Sequence, residues 1–167
     1  VTLITAGAIR VPLRKYALTL RDEAGDVINP VVSPDGRVIA YFIARKLWVR
    51  DLSQLSSRAL AEGLDEDFRP LWSPNSESIV YGTAAGLYRV TVSSGAVSPI
   101  CPVADFSGGS GGTWTPEGDI LFTRGVDHIY RVAGGGGLPV IFHARVDSIE
   151  VDLHHPYTLP GGRAVLF

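Results

Sequence analysis

One serine of this chain has the sequence surroundings that nucleophilic catalysis uses. Ser110 is flanked by two glycines on either side, so residues 108–112 fit the Gly-x-Ser-x-Gly pattern of a nucleophile elbow. That chemistry needs a strained turn between a strand and a helix, which exposes the serine hydroxyl. Residues 113–116, Thr-Trp-Thr-Pro, follow instead and indicate a β-strand that ends in a turn. We therefore interpret residues 108–112 as a connecting loop and predict no catalytic residue in this chain.

Acidic residues gather in three stretches, each shortly before a proline that opens an apolar segment. Nine of the 17 acidic residues lie in these stretches. On one face of a fold, their carboxylates would form a negative rim that attracts a cationic peptide, a basic partner segment or a divalent ion. The competing interpretation is ordinary solvation of polar loops. The candidate rim residues are Asp22, Glu23, Asp26, Asp65, Glu66, Asp67, Asp147, Glu150 and Asp152.

A short acidic and histidine-containing segment carries residue types that bind zinc and similar ions. It contains Asp152, His154 and His155. Neighbouring side chains in an extended segment point to opposite faces, so the two adjacent histidines are poorly placed to share one ion. We predict a structural hydrogen-bonding role, no metal site and no cofactor, with Asp152 and His154 as the only weak candidate ligands.

The composition narrows the function classes. The chain has 167 residues, of which 46% are apolar and 19% charged, enough for a substantial core. A net charge of -2 provides no broad basic surface, so we predict no nucleic-acid partner. The single cysteine, Cys101, permits no intrachain disulfide and is expected to be a small buried apolar residue. The chain begins at Val1 rather than Met, and the apolar run over residues 1–9 is too short to span a membrane. We expect an excised piece of a longer polypeptide that does not itself contact a membrane.

A repeat of about 40 residues organises these candidates. Proline recurs in equivalent turns at positions 34, 74, 116 and 160, so the intervals are 40, 42 and 44 residues. A period in this range is typical of one supersecondary unit repeated along the chain. Alternating apolar segments around each turn predict four antiparallel strands per unit. The inner hairpins are predicted near residues 30–42, 70–82, 112–123 and 156–167, the last strand at 163–167, and the outer strand of the third unit at 138–142.

Units of this kind bury their faces on one another, which predicts an all-β fold, a β-propeller built from four-stranded antiparallel blades. The chain ends after two strands of its last unit, while residues 8–13 and 15–20 resemble a third and a fourth strand. We therefore expect about four blade-equivalents, three complete and two complementary halves. Residues 1–14 are a lead-in segment and residues 15–167 carry the repeats. The predicted structural residues are Pro34, Asp35, Gly36, Pro74, Pro116, Pro160 and Gly161 in the turns, and Trp72 and Trp114 between blades.

The first hairpin carries a family resemblance. Residues 33–41, Ser-Pro-Asp-Gly-Arg-Val-Ile-Ala-Tyr, and residues 47–52, Leu-Trp-Val-Arg-Asp-Leu, resemble the TolB-type, WD-repeat-like β-propeller family. That family is marked by an aromatic-Ser-Pro-Asp-Gly hairpin followed by an Ile-Ala-Tyr/Phe strand. The resemblance spans roughly residues 15–167. Because TolB-type propellers commonly close with six or more blades, it implies that this chain is part of a larger propeller.

A finer resemblance concerns the protein that carries such a propeller. Residues 47–52, 69–74, 112–116 and 159–167 are most similar to propellers that lie C-terminal to the catalytic domain and membrane anchor of bacterial serine/threonine protein kinases. This resemblance implies a non-catalytic sensor or interaction domain on the extracytoplasmic, periplasmic side. It would bind a protein, peptide or small ligand on its funnel face, the face near the central channel that carries the acidic rim. It could also contact missing blades or self-associate. Two alternatives stay open: the propeller of a prolyl-oligopeptidase-like serine peptidase that gates substrate, and a TolB-like periplasmic scaffold.

Overall fold

The computed structural model of this chain describes residues 25–102, 111–150 and 152–167. These residues form fourteen short strands and no helix. None of them forms a helical segment that could cross a membrane. Ser110 and the predicted strands at 8–13 and 15–20 lie outside the described residues.

The strands form three four-stranded antiparallel sheets, each in chain order, and one two-stranded sheet. The first sheet contains β1 (Ile28–Val32), β2 (Val38–Ile43), β3 (Lys46–Asp51) and β4 (Arg58–Glu62). The second contains β5 (Leu71–Trp72), β6 (Ser78–Thr83), β7 (Gly86–Thr91) and β8 (Val97–Pro102). The third contains β9 (Gly112–Trp114), β10 (Asp119–Arg124), β11 (His128–Ala133) and β12 (Val140–Ala144). The fourth contains β13 (Tyr157–Thr158) and β14 (Val165–Leu166).

The first turn of every sheet closes with a backbone hydrogen bond from its fourth residue to its first, and the turns of the first two sheets also share side-chain bonds. In the first sheet the Ser33 hydroxyl donates to the Asp35 carboxylate and accepts from the Val38 amide, over 2.6 and 3.0 Å. In the second sheet Ser73 bonds in the same way, to the Asn75 side chain and the Ser78 amide. The fourth turn residue has a positive φ, which favours glycine there. These residues are Gly36, Ser76, Gly118 and Gly162.

The core lies between the sheets, because the second strands of the second and third sheets, β6 and β10, turn alternate side chains to opposite neighbours. Ile79 and Tyr81 of β6 pack against the first sheet, whereas Val80 packs against the third. Trp72 belongs to the core between the first and second sheets, and Trp114 packs against the core between the second and third. The third and fourth sheets meet around a buried cluster of Leu121, Ile129 and Leu153, with Val165 against it.

Two predicted strand boundaries differ from those observed. The outer strand predicted at 138–142 lies at Val140–Ala144, after Pro139, which lacks the amide that a ladder uses. The last strand, predicted at 163–167, is confined to Val165–Leu166 because its pairing with β13 covers only two residues.

The loops fall on two opposite faces of the stack. The face that carries the first turns and the loops after the third strands is called here the hairpin face; its turns and loops are joined by bonds such as Leu52 N to Arg37 O, 2.8 Å. The opposite face carries the turns between second and third strands and the links between sheets, and is called the link face. There the Leu64 amide donates to Arg45 O, and the Leu153 amide donates to Val126 O.

Candidate functional site

The described acidic residues of the predicted rim lie in or beside the links between sheets. Asp26 lies two residues before the first sheet, residues 65–67 lie between the first and second sheets, and residues 147–150 and 152 lie between the third and fourth. Bonds from Asp65 N to Gly82 O and from Arg145 N to Asp127 O hold these links on the link face. Asp22 and Glu23 lie outside the described residues.

Two acidic residues of the first link hold the backbone of that link in place. The Glu66 carboxylate accepts a 2.6 Å hydrogen bond from the Arg45 amide, and the Glu66 carbonyl accepts one of 2.7 Å from the Asn29 side chain. The Asp65 carboxylate accepts a 3.1 Å hydrogen bond from the Asp67 amide. These bonds connect the first sheet to the link that enters the second, so they fix the loop on which Asp67 is exposed.

Glu150 does the same for the last link. Its carboxylate accepts a 2.6 Å hydrogen bond from the Val146 amide and contacts the His143 ring nitrogen at 3.1 Å. The hydrogen bond from the Val146 amide and the contact with the His143 side chain lower the pKa of Glu150 below its ordinary value. The His143 ring also lies against Phe167, with ring centroids 4.8 Å apart. Glu150 therefore organises the end of the link and its contact with the fourth sheet.

The remaining rim carboxylates are exposed on the link face. Asp147 pairs with the Arg145 guanidinium at 3.0 Å, and Asp152 pairs with the His154 ring at 3.3 Å. Asp26 and Asp67 are exposed as well. Within the described part of the chain, no group of three or more histidine, cysteine or carboxylate side chains is arranged to hold a metal ion. The Asp152 carboxylate and the His154 ring form a close pair at the surface.

Sequence reasoning missed a polar crevice on the hairpin face. Two adjoining hollows, of about 340 and 510 Å³, share Val38 and Asp51 and extend to Val92 of the second sheet. Asp51 accepts hydrogen bonds from the Ser53 amide and hydroxyl, which lower the pKa of Asp51. The crevice could not be recognised in the sequence because its walls come from separate turns. Its polar lining comprises Asp35, Arg37, Asp51, Ser53, Gln54, Ser56, Ser57 and Arg58.

The single cysteine lies in the core between the second and third sheets. Cys101 is buried on β8, and burial raises the pKa of its thiol to about 11. A thiol that remains protonated and inaccessible is a poor nucleophile.

Comparisons with known proteins bear on the fold. No protein-family model matches the sequence, and no curated protein matches it. Among solved structures, Kuenenia stuttgartiensis hydrazine synthase is 13% identical with a TM-score of 0.68, over 90% of this chain and 44% of that chain. TolB from Acinetobacter baumannii is 23% identical with a TM-score of 0.56, over 72% of this chain and 33% of that one. A puromycin hydrolase is 21% identical with a TM-score of 0.58, over 73% and 22%.

The chain spans less than half the length of each of these proteins. Identities this low show a shared fold and leave function open. The fold predicted from the repeat is confirmed, since the neighbours are propellers and the described sheets have the four-stranded antiparallel form of their blades. The described residues therefore have a TolB-like β-propeller fold.

Proposed function

We propose that this chain is a non-catalytic binding module whose link face contacts a basic protein or peptide segment. The observation that carries the proposal is a division among the acidic residues of that face. Asp65, Glu66 and Glu150 accept hydrogen bonds from backbone amides and hold the links in place. The carboxylates of Asp67 and Asp147 are exposed on the links that are held in this way.

Loops held before binding lose little conformational entropy when a partner arrives, which favours recognition by such loops. Exposed carboxylates on one face attract cationic groups and speed their association. Because exposed charges are screened by salt, the affinity of the link face for a basic segment should fall as ionic strength rises. The same surface chemistry supports a divalent ion as a weaker alternative ligand.

Calorimetric titration with an oligolysine peptide, and separately with calcium chloride, tests this proposal. The double variant Asp67→Asn with Asp147→Asn should weaken peptide binding by ~5-fold or more, since exposed ion pairs contribute up to ~1 kcal/mol each. The matched control, Glu77→Gln with Glu117→Gln, removes two charges from the hairpin face and should leave the affinity unchanged. Absence of peptide binding, or an equal loss in both double variants, would contradict a link-face site.

The finer proposal is that this propeller is the sensor domain of a bacterial membrane-anchored serine/threonine protein kinase. It is supported by the sequence motifs at residues 47–52, 69–74, 112–116 and 159–167. In that setting the domain would lie on the periplasmic side and transmit the presence of its ligand across the membrane. The full reading frame around this segment tests the proposal: kinase motifs followed by a membrane-spanning run must precede it.

The structurally similar proteins support two other kinds of parent protein. The likeness to TolB supports a periplasmic scaffold, and the likeness to a puromycin hydrolase supports a propeller that gates substrate for a separate hydrolase domain. The same reading frame separates these settings. A cleavable signal peptide alone favours the scaffold, and a nucleophile elbow in a downstream α/β domain favours the hydrolase.

A small ligand in the hairpin-face crevice is a second candidate function. The crevice has the volume of an ordinary small-molecule site and offers both carboxylate and guanidinium groups. Ser56→Trp would fill it without altering the link face. Screening of polar metabolites by thermal shift should then give stabilising compounds whose effect disappears in Ser56→Trp and persists in Asp67→Asn.

A further inference from the structure

One part of the hairpin-face crevice has a short side chain where the next sheet has a long one. In the second sheet, the Arg89 guanidinium crosses to the third sheet and donates to the carbonyl of Gly134 over 3.2 Å. Val49 is equivalent to Arg89 in the first sheet, because they pair with the third residues of β2 and β6. Valine is too short to cross the interface between sheets. The smaller hollow of the crevice, of about 340 Å³, lies beside Val49 between the first and second sheets.

Arg58 crosses this interface from the neighbouring outer strand. It pairs with Val49, and residues paired directly across two strands share a face of the sheet. Its guanidinium donates to the carbonyl of Val92. Val92 is equivalent to Gly134, since each follows a third strand and its amide donates to the residue just before the second strand. A guanidinium has five N–H donors, and this bond engages one of them. The hollow is therefore lined by a held cation that has donors to spare.

Asp51 provides the opposite charge on the same face. It lies two residues beyond Val49 on β3, and side chains two residues apart on a strand share a face. Asp51 is thus the diagonal neighbour of Arg58, with their Cα atoms roughly 7–8 Å apart. Both hydrogen bonds from Ser53 go to Oδ1 of Asp51 and favour its ionised form, so Oδ2 can accept from a ligand. Two opposite charges therefore line one hollow, each already held by a bond to a different group.

The repeat itself does not require these two charges. The residues equivalent to Asp51 and Arg58 are uncharged in both other four-stranded sheets: Thr91 and Ser98 in the second, and Ala133 and Val140 in the third. The structure describes the first and second sheets, residues 28–62 and 71–102, from end to end. Every residue that lines the hollow belongs to one of these two sheets.

We propose that this hollow binds a free α-amino acid with an aliphatic side chain, whose carboxylate pairs with Arg58 and whose ammonium group pairs with Asp51. An α-amino acid carries both charges on one carbon atom, so a single small molecule satisfies both side chains through charge-assisted hydrogen bonds. Val38, Val49 and Val92 give its side chain an apolar wall. This inference rests on the small-ligand function proposed above for the crevice and names the class of ligand.

Leucine and two analogues test the assignment. Backbone amide signals of the isotope-labelled chain are followed by NMR during titration with leucine, with leucinamide, which lacks the carboxylate, and with isocaproate, which lacks the amino group. Leucine should shift the amides of residues 49–58 and of Val92. Each analogue should bind ~10-fold or more weakly, the loss expected when one charge-assisted hydrogen bond is removed. Ser56→Trp, which fills the crevice, should abolish the shifts.

Two variants assign each charge of the ligand to its partner. Arg58→Gln should weaken leucine binding by ~10-fold or more without weakening leucinamide binding. Asp51→Asn should weaken leucine binding by a similar factor without weakening isocaproate binding, and asparagine can still accept the bonds from Ser53. A purely structural role of either residue would weaken all three ligands alike. The matched control, Asp119→Asn with Arg131→Gln, removes an opposite-charge pair from the third sheet and should leave leucine affinity unchanged.

The outcomes separate the ligand class from the crevice itself. Absence of leucine binding, equal binding of leucine and its analogues, or leucine binding that Ser56→Trp leaves intact would overturn the amino-acid assignment. If other polar metabolites then stabilise the parent protein but not Ser56→Trp, the crevice remains a small-ligand site and only the assignment fails. If no compound has an effect that Ser56→Trp removes, both proposals fail.

Discussion

The indole nitrogen of Trp72 donates a hydrogen bond to the carbonyl oxygen of Val31, 3.1 Å away on the inner strand of the preceding sheet. The indole ring is buried in the core that these two sheets share. Trp114 occupies the equivalent place in the third sheet, but its indole nitrogen is buried without a hydrogen-bond partner among the described residues. Two tryptophans at one repeat position therefore join their sheets in different ways.

The difference predicts unequal costs of substitution. Trp72→Ala should lower the free energy of unfolding by ~3–5 kcal/mol, since it empties a core site. Trp72→Phe also loses a hydrogen bond worth ~1 kcal/mol, which Trp114→Phe does not. Chemical denaturation of the two phenylalanine variants measures this contrast. Equal losses in Trp72→Phe and Trp114→Phe would show that the bond to Val31 contributes nothing.

Two adjacent glycines after β11 should respond oppositely to a methyl group. A Cβ on Gly134 would overlap the Trp114 ring and the carbonyl oxygen of Gly118, which the hairpin fixes in place. A Cβ on Gly135 would meet no atom within 4 Å. Gly134→Ala should therefore destabilise the fold by ~1–3 kcal/mol, the usual cost of overpacking, while Gly135→Ala stays close to the parent protein. Thermal unfolding of the pair tests this, and a tolerated Gly134→Ala would contradict the packing of Trp114 on this turn.

Local sequence patterns predicted the all-β repeat because its signals lie within a few residues of one another. The turn at residues 33–36 and the alternation over β2 and β3 are of this kind. The position of the outer strand β4, Arg58–Glu62, was not predicted, since its two alanines and flanking charges lack the β-branched or aromatic residues of a strand. Its place in the sheet comes from pairing with β3.

The roles of the rim carboxylates were beyond sequence reasoning for a different reason. Glu66 and Arg45 are 21 residues apart, and nothing local to either predicts that the carboxylate accepts that amide. The same holds for Arg89 and Gly134, which belong to different sheets. The sequence predicts acidic residues in the links between sheets. Which of them accept backbone hydrogen bonds and which are exposed depends on how the sheets pack, and the sequence does not show this.

Cys101 should react with thiol reagents only when the protein opens. With its pKa raised to about 11, roughly one thiol in a thousand is ionised at pH 8, and the side chain is buried. The labelling rate should rise with urea in parallel with unfolding measured by tryptophan fluorescence. The control variant Ala96→Cys with Cys101→Ala places the thiol at an exposed position of the turn before the same strand. It should label quickly without urea, and equally fast labelling of the parent protein would refute burial of Cys101.

Asp35 should give the protein a specific acid sensitivity that asparagine would remove. Hydrogen bonds from the Ser33 hydroxyl and the Arg37 amide lower the pKa of Asp35 below its ordinary 3.8. The ionised group therefore stabilises the fold above that value, and the contribution is lost as pH falls through the folded-state pKa. Asparagine preserves the turn, as Asn75 does in the second sheet. The free energy of unfolding of the parent protein relative to Asp35→Asn should thus be constant between pH 7 and pH 5 and decrease below pH 3.8. Urea titrations at each pH measure this difference, and a value that stays constant at every pH below 3.8 would exclude a role for the charge. At pH 7, Asp35→Ala should have a lower free energy of unfolding than Asp35→Asn, because alanine also removes the hydrogen bonds of the turn.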